Sequence, residues 1–136
     1  DFYGAALAVR YENQIRRMQV DVLVPVPVHP SRKRARGFNQ AEVLAVCLEK
    51  RLGIPVGSGM LIRDKKTKPQ KELSADRLKN LSGAFRAGTI PEGIKTVLLV
   101  DDIYTTGSTV EACARALRSA GVSRVYFVVI CMTGGR

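Results

Sequence analysis

Apolar and polar positions along this chain alternate between helical and strand-like spacing. Residues 5–18 place Leu7, Val9, Ile15 and Met18 at loose helical intervals, with Arg16 and Arg17 suited to a last turn. This spacing predicts a peripheral helix within an opening segment, residues 1–20. Residues 20–28 are β-branched and apolar but are punctuated by Pro25 and Pro27. Proline interrupts a central ladder, so the expected strand ends near Val24 and a constrained loop follows. Over residues 37–52, Leu44, Ala45, Leu48 and Leu52 share one helical face, and Gly53 is the stop.

Short strands are expected at residues 57–62 and 83–89, on either side of a polar segment, residues 63–80, whose end (74–81) suits a short helix. That segment exceeds the usual connection in a compact domain, which marks it as a functional or mobile loop. Residues 96–100 form a continuous apolar run, as a parallel strand buried on both faces would. Residues 108–120 carry a clean apolar face of Val110, Cys113, Ala114, Leu117 and Ala120, ended by Gly121, and residues 125–131 read as another buried strand. Strand, helix and strand at this spacing make a right-handed βαβ unit. The expected fold class is therefore α/β, an open, mostly parallel sheet flanked by helices.

Composition supports one domain over residues 1–136. The chain has 136 residues and is 46% hydrophobic, enough for a real core. Its apolar runs are far shorter than a bilayer span of roughly 20 residues, and no basic-then-apolar leader opens the chain. Cys47, Cys113 and Cys131 stand apart, and with His29 as the single histidine the ligands for an ordinary zinc site are missing. Isolated thiols packed as small apolar groups imply a reducing compartment, hence a cytoplasmic location.

Charge adds a partner class. Lys and Arg total 22 against 12 Asp and Glu, a formal +10. Arg32, Lys33, Arg34 and Arg36 contribute +4, and residues 63–79, with seven basic and three acidic side chains, another +4. Clustering of this kind implies a polyanion: a pyrophosphate-bearing substrate, a nucleic acid, or both. A solvated surface accounts for a high total but not for its concentration in two stretches.

The chemistry concentrates after Val100. In an open parallel sheet, ligands bind beyond the carboxyl ends of the strands. There the chain reads Asp101-Asp102-Ile103-Tyr104-Thr105-Thr106-Gly107-Ser108-Thr109. Thr105, Thr106, Ser108 and Thr109 bring four hydroxyls to a helix start, and Gly107 lets the backbone approach a ligand, which suits a phosphate monoester. Two carboxylates one small-sugar length away can accept hydrogen bonds from ribose hydroxyls and favour a cationic ring. Ordinary helix capping explains one such residue but not the whole constellation. The Walker-type pattern for a P-loop is absent.

The run Val97-Leu98-Leu99-Val100-Asp101-Asp102-Ile103-Tyr104-Thr105-Thr106-Gly107-Ser108-Thr109 closely resembles the phosphoribosyl pyrophosphate (PRPP) motif of type I phosphoribosyltransferases. The resemblance implies that Asp101 and Asp102 engage the ribose hydroxyls and that residues 105–109 bind the 5′-phosphate. A second match is to the ComF branch, competence-associated proteins carrying this domain. It rests on Val24 through Glu42, on Thr67-Lys68-Pro69-Gln70, and on Leu73, Arg77, Asn80, Gly83, Ala84 and Phe85.

These resemblances imply a loop from Pro25 into Arg32, Lys33, Arg34 and Arg36 that contacts pyrophosphate or nucleic acid. They also imply a mobile loop bearing Thr67, Lys68, Gln70 and Arg77, a small hood, and Mg²⁺ held through substrate and water near the acidic pair, with no direct protein ligand set. His29 reads as a loop residue between prolines. ComF proteins usually open with a small cysteine-rich, zinc-binding region that this sequence lacks; with Asp rather than Met at position 1, a truncated chain or a branch without that region is expected.

Three functions remain open at this level. One is phosphoribosyl transfer from PRPP to an unnamed acceptor in the context of DNA uptake. Another is a non-catalytic binder of single-stranded DNA, or an adaptor to a competence-machinery protein. The last is a PRPP sensor. The absence of Trp, with only Phe38 beside the first basic cluster, argues against a base-stacking platform.

Overall fold

The computed structural model describes residues 12–27, 40–63, 85–104 and 107–132, with the backbone alone at 102–104 and 130–132. Residues 12–18 are helical (α1). They are followed by β1 (Val22–Pro25), α2 (Gln40–Leu52), β2 (Leu61–Arg63), β3 (Phe85–Ala87), β4 (Thr96–Tyr104), α3 (Ser108–Ser119) and β5 (Arg124–Met132).

Three strands form a parallel sheet in the order β1-β4-β5. Val22 pairs with Val97 and Pro25 with Val100, while Thr96 pairs with Arg124 and Tyr104 with Met132. The expected α/β class is therefore met, and β4 is the inner strand. Val97 to Val100 are buried to 1% exposure or less, so both faces of β4 are covered as its unbroken apolar run predicts.

Alternation along β4 sorts the core into two layers. Val97 and Leu99 pack with Val22, Val24, Cys113 and Leu117, under α3 and the β2–β3 hairpin. Leu98 and Val100 pack with Leu23, Leu44, Leu48 and Leu52, under α2, where Ile15 of α1 joins them. The hairpin is a separate antiparallel pair, Leu61 opposite Ala87 and Arg63 opposite Phe85. Gly53 and Gly121 follow α2 and α3 with positive φ, as helix stops do.

Several expectations need correction. The first strand continues through Pro25. The N–H of Leu23 donates outward to the Pro55 carbonyl at 2.8 Å, and Pro25, two residues on, faces the same way. Its missing donor therefore costs no bond to β4, and Val26 resumes that ladder by donating to the Val100 carbonyl at 2.9 Å. β4 likewise does not stop at Val100: it runs on to Tyr104, because β5 stays paired beside it.

β5 is half-buried rather than buried, with Phe127 46% exposed, because it has a sheet neighbour on one side only among the described residues. On α3, Ala112 is buried and Ala120 exposed, which rotates the predicted face by one position. Arg63, counted with the polar loop from charge alone, belongs to β2, and the strand expected from residue 57 begins at Leu61.

Candidate functional site

The site is built where β4 outruns β1. The β1 ladder ends at Pro25 and Val26 against Val100, yet β4 continues for four residues held by β5. Asp101 and Asp102 thus lie within the overhanging part of β4, on a ledge at the carboxyl end of the sheet. Among the described residues, one edge of β4 has no strand partner there, while its other edge is paired with β5. Asp101 is half-buried. The side chain of Asp102, and Thr105 and Thr106, lie outside the described residues.

Beyond the ledge, α3 opens on Gly107, at φ 84° and ψ −5°. That left-handed conformation is costly for any residue with a Cβ, so glycine is required here. A glycine has no side chain to cap the helix, and no side-chain cap bond is present. The first intrahelical bond runs from the Glu111 N–H to the Gly107 carbonyl at 2.9 Å. The N–H groups of the first turn thus have no acceptor within the helix's own ladder, the arrangement that receives anions. Ser108 and Thr109 are half-buried in that turn. The simple explanation of a Ser or Thr cap fails, because the capping position is Gly107.

Asp101 shares the α3 side of β4 with Val97 and Leu99. Below it, on α3, the Cys113 thiol is fully buried, and desolvation pushes its pKa far above the ordinary thiol range; the negative charge of Asp101 raises it further and the positive charge of Arg63 opposes this. Both charges therefore lie within electrostatic reach of one buried sulfur. Arg63 sits at the end of β2 with its guanidinium over the Phe85 ring, 5.3 Å from the centroid. Sequence reading counted this arginine only as the start of the polar segment and gave it no role of its own; its place directly after Leu61 and Ile62 was the signal that it ends a strand.

Pro25 lines a small cavity of about 110 Å³ together with Pro27, Glu42, Gly57, Ser58 and Leu61, at the carboxyl end of β1. A larger open groove of about 360 Å³ between β3 and α3 is lined by residues that include Arg86, Arg115 and Ser119, and Asp101 is not among them. Arg32, Lys33, Arg34 and Arg36, and Thr67, Lys68, Gln70 and Arg77, lie outside the described residues. No group of three or more His, Cys, Asp or Glu side chains is assembled among the described residues to hold a metal. A carboxylate at the ledge nevertheless suits Mg²⁺, which accepts few protein ligands when phosphate oxygens and water supply the rest. No described helix is long and apolar enough to cross a membrane.

Comparison with known proteins agrees with this architecture. The phosphoribosyl transferase domain family matches residues 36–136. Competence protein F of Haemophilus influenzae is 37% identical over 123 residues, covering 88% of this chain and 54% of that protein. Competence protein ComFC of Bacillus subtilis is 38% identical over 100 residues, covering 74% of this chain and 39% of that protein. DNA utilization protein YhgH of Escherichia coli is 37% identical over 114 residues, covering 83% of this chain and 50% of that protein. The chain spans about half the length of the first of these relatives. A purine phosphoribosyltransferase from Pyrococcus horikoshii shares the fold, with a TM-score of 0.57 at 21% identity over 97% of this chain and 71% of that one. The chain belongs to the phosphoribosyltransferase family, in its competence-associated ComF branch.

Proposed function

We propose that this domain binds PRPP with Mg²⁺ and transfers its phosphoribosyl group to a nitrogen nucleophile. The observation that carries the reading is the overhang of β4, which sets Asp101 and Asp102 beside a helix that starts on Gly107. The first turn of α3, with Ser108 and Thr109, receives the 5′-phosphate together with Thr105 and Thr106. The carboxylates accept hydrogen bonds from the ribose hydroxyls and favour positive charge developing on the ring. Mg²⁺, when bound, neutralises the pyrophosphate oxygens.

As the acceptor nitrogen bonds to C1, the bond from C1 to the pyrophosphate oxygen breaks. Pyrophosphate leaves with the electron pair, and the acceptor gives its proton to solvent. Arg32, Lys33, Arg34 and Arg36, following Pro25, are assigned to the leaving pyrophosphate. Thr67, Lys68, Gln70 and Arg77 are assigned to a loop that closes over the substrate and excludes water. Most of the rate enhancement in such a site comes from positioning and charge.

Calorimetric titration tests this directly. Asp101→Asn combined with Asp102→Asn is expected to abolish PRPP binding in Mg²⁺, and unchanged affinity would sink the assignment. Pyrophosphate release across a panel of bases and amines then reads turnover. A second reading, single-stranded DNA binding or a competence adaptor role in which PRPP is absent or merely sensed, is favoured by the clustered basic residues and by the competence and DNA-utilization names of the relatives. PRPP binding without pyrophosphate release, or strand affinity that falls steeply with salt, would favour that alternative.

A further inference from the structure

Among the described residues, β3 is paired along one edge only. In an antiparallel pair, the backbone groups of successive residues point alternately toward the partner strand and away from it. The Gly88 N–H donates to the Met60 carbonyl at 3.0 Å, so in this register Arg86 turns its backbone groups to Ile62. Phe85 and Ala87 therefore turn theirs to the outer side of β3. No strand lies beside them there among the described residues, because β2 and β3 form a two-stranded sheet of their own. A strand edge left in this state is a template for further pairing.

That outer edge forms one wall of the groove of about 360 Å³ between β3 and α3. All three residues of β3 line the groove, as an edge does; one face of a strand would contribute every second residue. The opposite wall is α3, through Ala112, Ala116 and Ala120, whose side chains are single methyl groups at four-residue intervals. Such small side chains leave room for another backbone alongside β3. Arg86 and Arg115 line the same groove, and no carboxylate is among its described lining residues. Arg115 pairs with Glu111 at 3.0 Å, but the two side chains are 59% and 53% exposed, so that pair is weak enough to exchange for an incoming carboxylate.

We propose that this groove is a docking site for an extended, acidic segment of a partner protein, which adds to the hairpin as a third strand. The backbone of the segment pairs with the outward N–H and C=O groups of Phe85 and Ala87. Alternate side chains turn toward the alanines of α3, and carboxylates meet Arg86 and Arg115. A second copy of this chain is a poorer occupant, since pairing β3 with itself brings like charges together at Arg86 and joins two molecules of formal charge +10. Nucleic acid matches the charge but lacks the alternating donors and acceptors that a strand edge pairs with. The groove runs along α3 from Ala112 to Ala120, past the first turn, so this site is separate from the ledge at the end of β4.

The test uses a short capped peptide alternating glutamate with valine, without PRPP, so the result does not depend on the ligand assigned to the ledge. Nitrogen-15 NMR of the native protein is expected to show the amides of Phe85 and Ala87 shifting and exchanging more slowly with solvent as the peptide is added. The same peptide N-methylated at alternate residues keeps its charge, loses its pairing edge and is expected not to bind. Ala87→Pro removes one outward donor without touching the ladder to β2, and is expected to weaken binding roughly tenfold. Arg86→Glu combined with Arg115→Glu is expected to lose the acidic peptide and to gain a peptide alternating lysine with valine. Unaltered exchange at Phe85 and Ala87, or equal binding of the N-methylated peptide, overturns the proposal; both results come from the native protein and need no variant to fold. Protection of the same two amides by oligothymidylate, as strong as that by the acidic peptide, would make the groove a general polyanion site and overturn it equally.

Discussion

Asp21 acts at the end of the sheet opposite the candidate site. Its Oδ2 accepts hydrogen bonds from the backbone N–H groups of Lys95 and Thr96, both at 2.9 Å. These bonds tie the start of β4 to β1 and hold the Asp21 carboxyl below the usual aspartate range, with Thr96 the larger cause and Lys95 next. A depressed carboxyl contributes stability at pH values above its unfolded titration, and that contribution fades as pH falls through the lower folded value. Asp21→Asn is therefore expected to cost about 1 kcal/mol at pH 7, a modest figure because water screens the site. Urea denaturation at pH 7 and at pH 3 checks it: the gap between native and variant proteins should narrow at the lower pH. Cys113 illustrates the opposite influence, where burial and the nearby Asp101 keep a thiol protonated and unreactive.

At the scale of elements, the hairpin is held against the loop over residues 57–60. Gly88 follows β3 and donates its N–H to the Met60 carbonyl at 3.0 Å. A Cβ at this position would run into the Gly59 carbonyl, which is backbone and cannot swing aside. Gly88→Ala is expected to destabilise the domain by about 1–3 kcal/mol, read as a lower urea midpoint, by forcing the hairpin away from that loop. On α3, Cys113 and Leu117 are fully buried and Glu111 pairs with Arg115 at 3.0 Å on the exposed side. That surface pair adds little to stability.

For the whole molecule, two core layers pack on the two faces of a parallel sheet, and a bound ligand would add to the stability they supply. A ligand that binds only the folded state stabilises it by about 2.7 kcal/mol at one hundred times its dissociation constant. PRPP with Mg²⁺ at that excess is expected to raise the melting temperature of the native domain by several degrees, measured by calorimetric scanning. The Asp101→Asn, Asp102→Asn double variant should show no such rise. The formal charge of +10 makes the molecule as a whole attractive to polyanions, and this long-range attraction weakens with salt. Retention of the PRPP-induced rise at 0.5 M salt, with loss of any strand affinity, would separate a built ligand site from a general electrostatic one.

Periodicity alone determined α2 and α3, because a helix burying one face repeats its apolar residues at a spacing few other structures share: Leu44, Leu48 and Leu52 on one, Cys113 and Leu117 on the other. The run from Val97 to Val100 likewise identified a strand covered on both faces; the motif beyond it pointed to the phosphoribosyltransferase family, and Val24 through Glu42 with Thr67 to Gln70 pointed to its ComF branch. Three features were decided only by the tertiary structure. Aspartates are poor strand formers, and only pairing with β5 carries β4 through Asp101 and Asp102 to Tyr104. Pro25 survives in β1 because its missing donor would face away from β4, a direction that composition does not record. Arg63 lies 22 residues from Phe85 and 38 from Asp101 in sequence, yet the fold brings all three to one side of the sheet. Local spacing encodes which face a residue turns to the core; which distant charges then meet is set by how the covered faces stack.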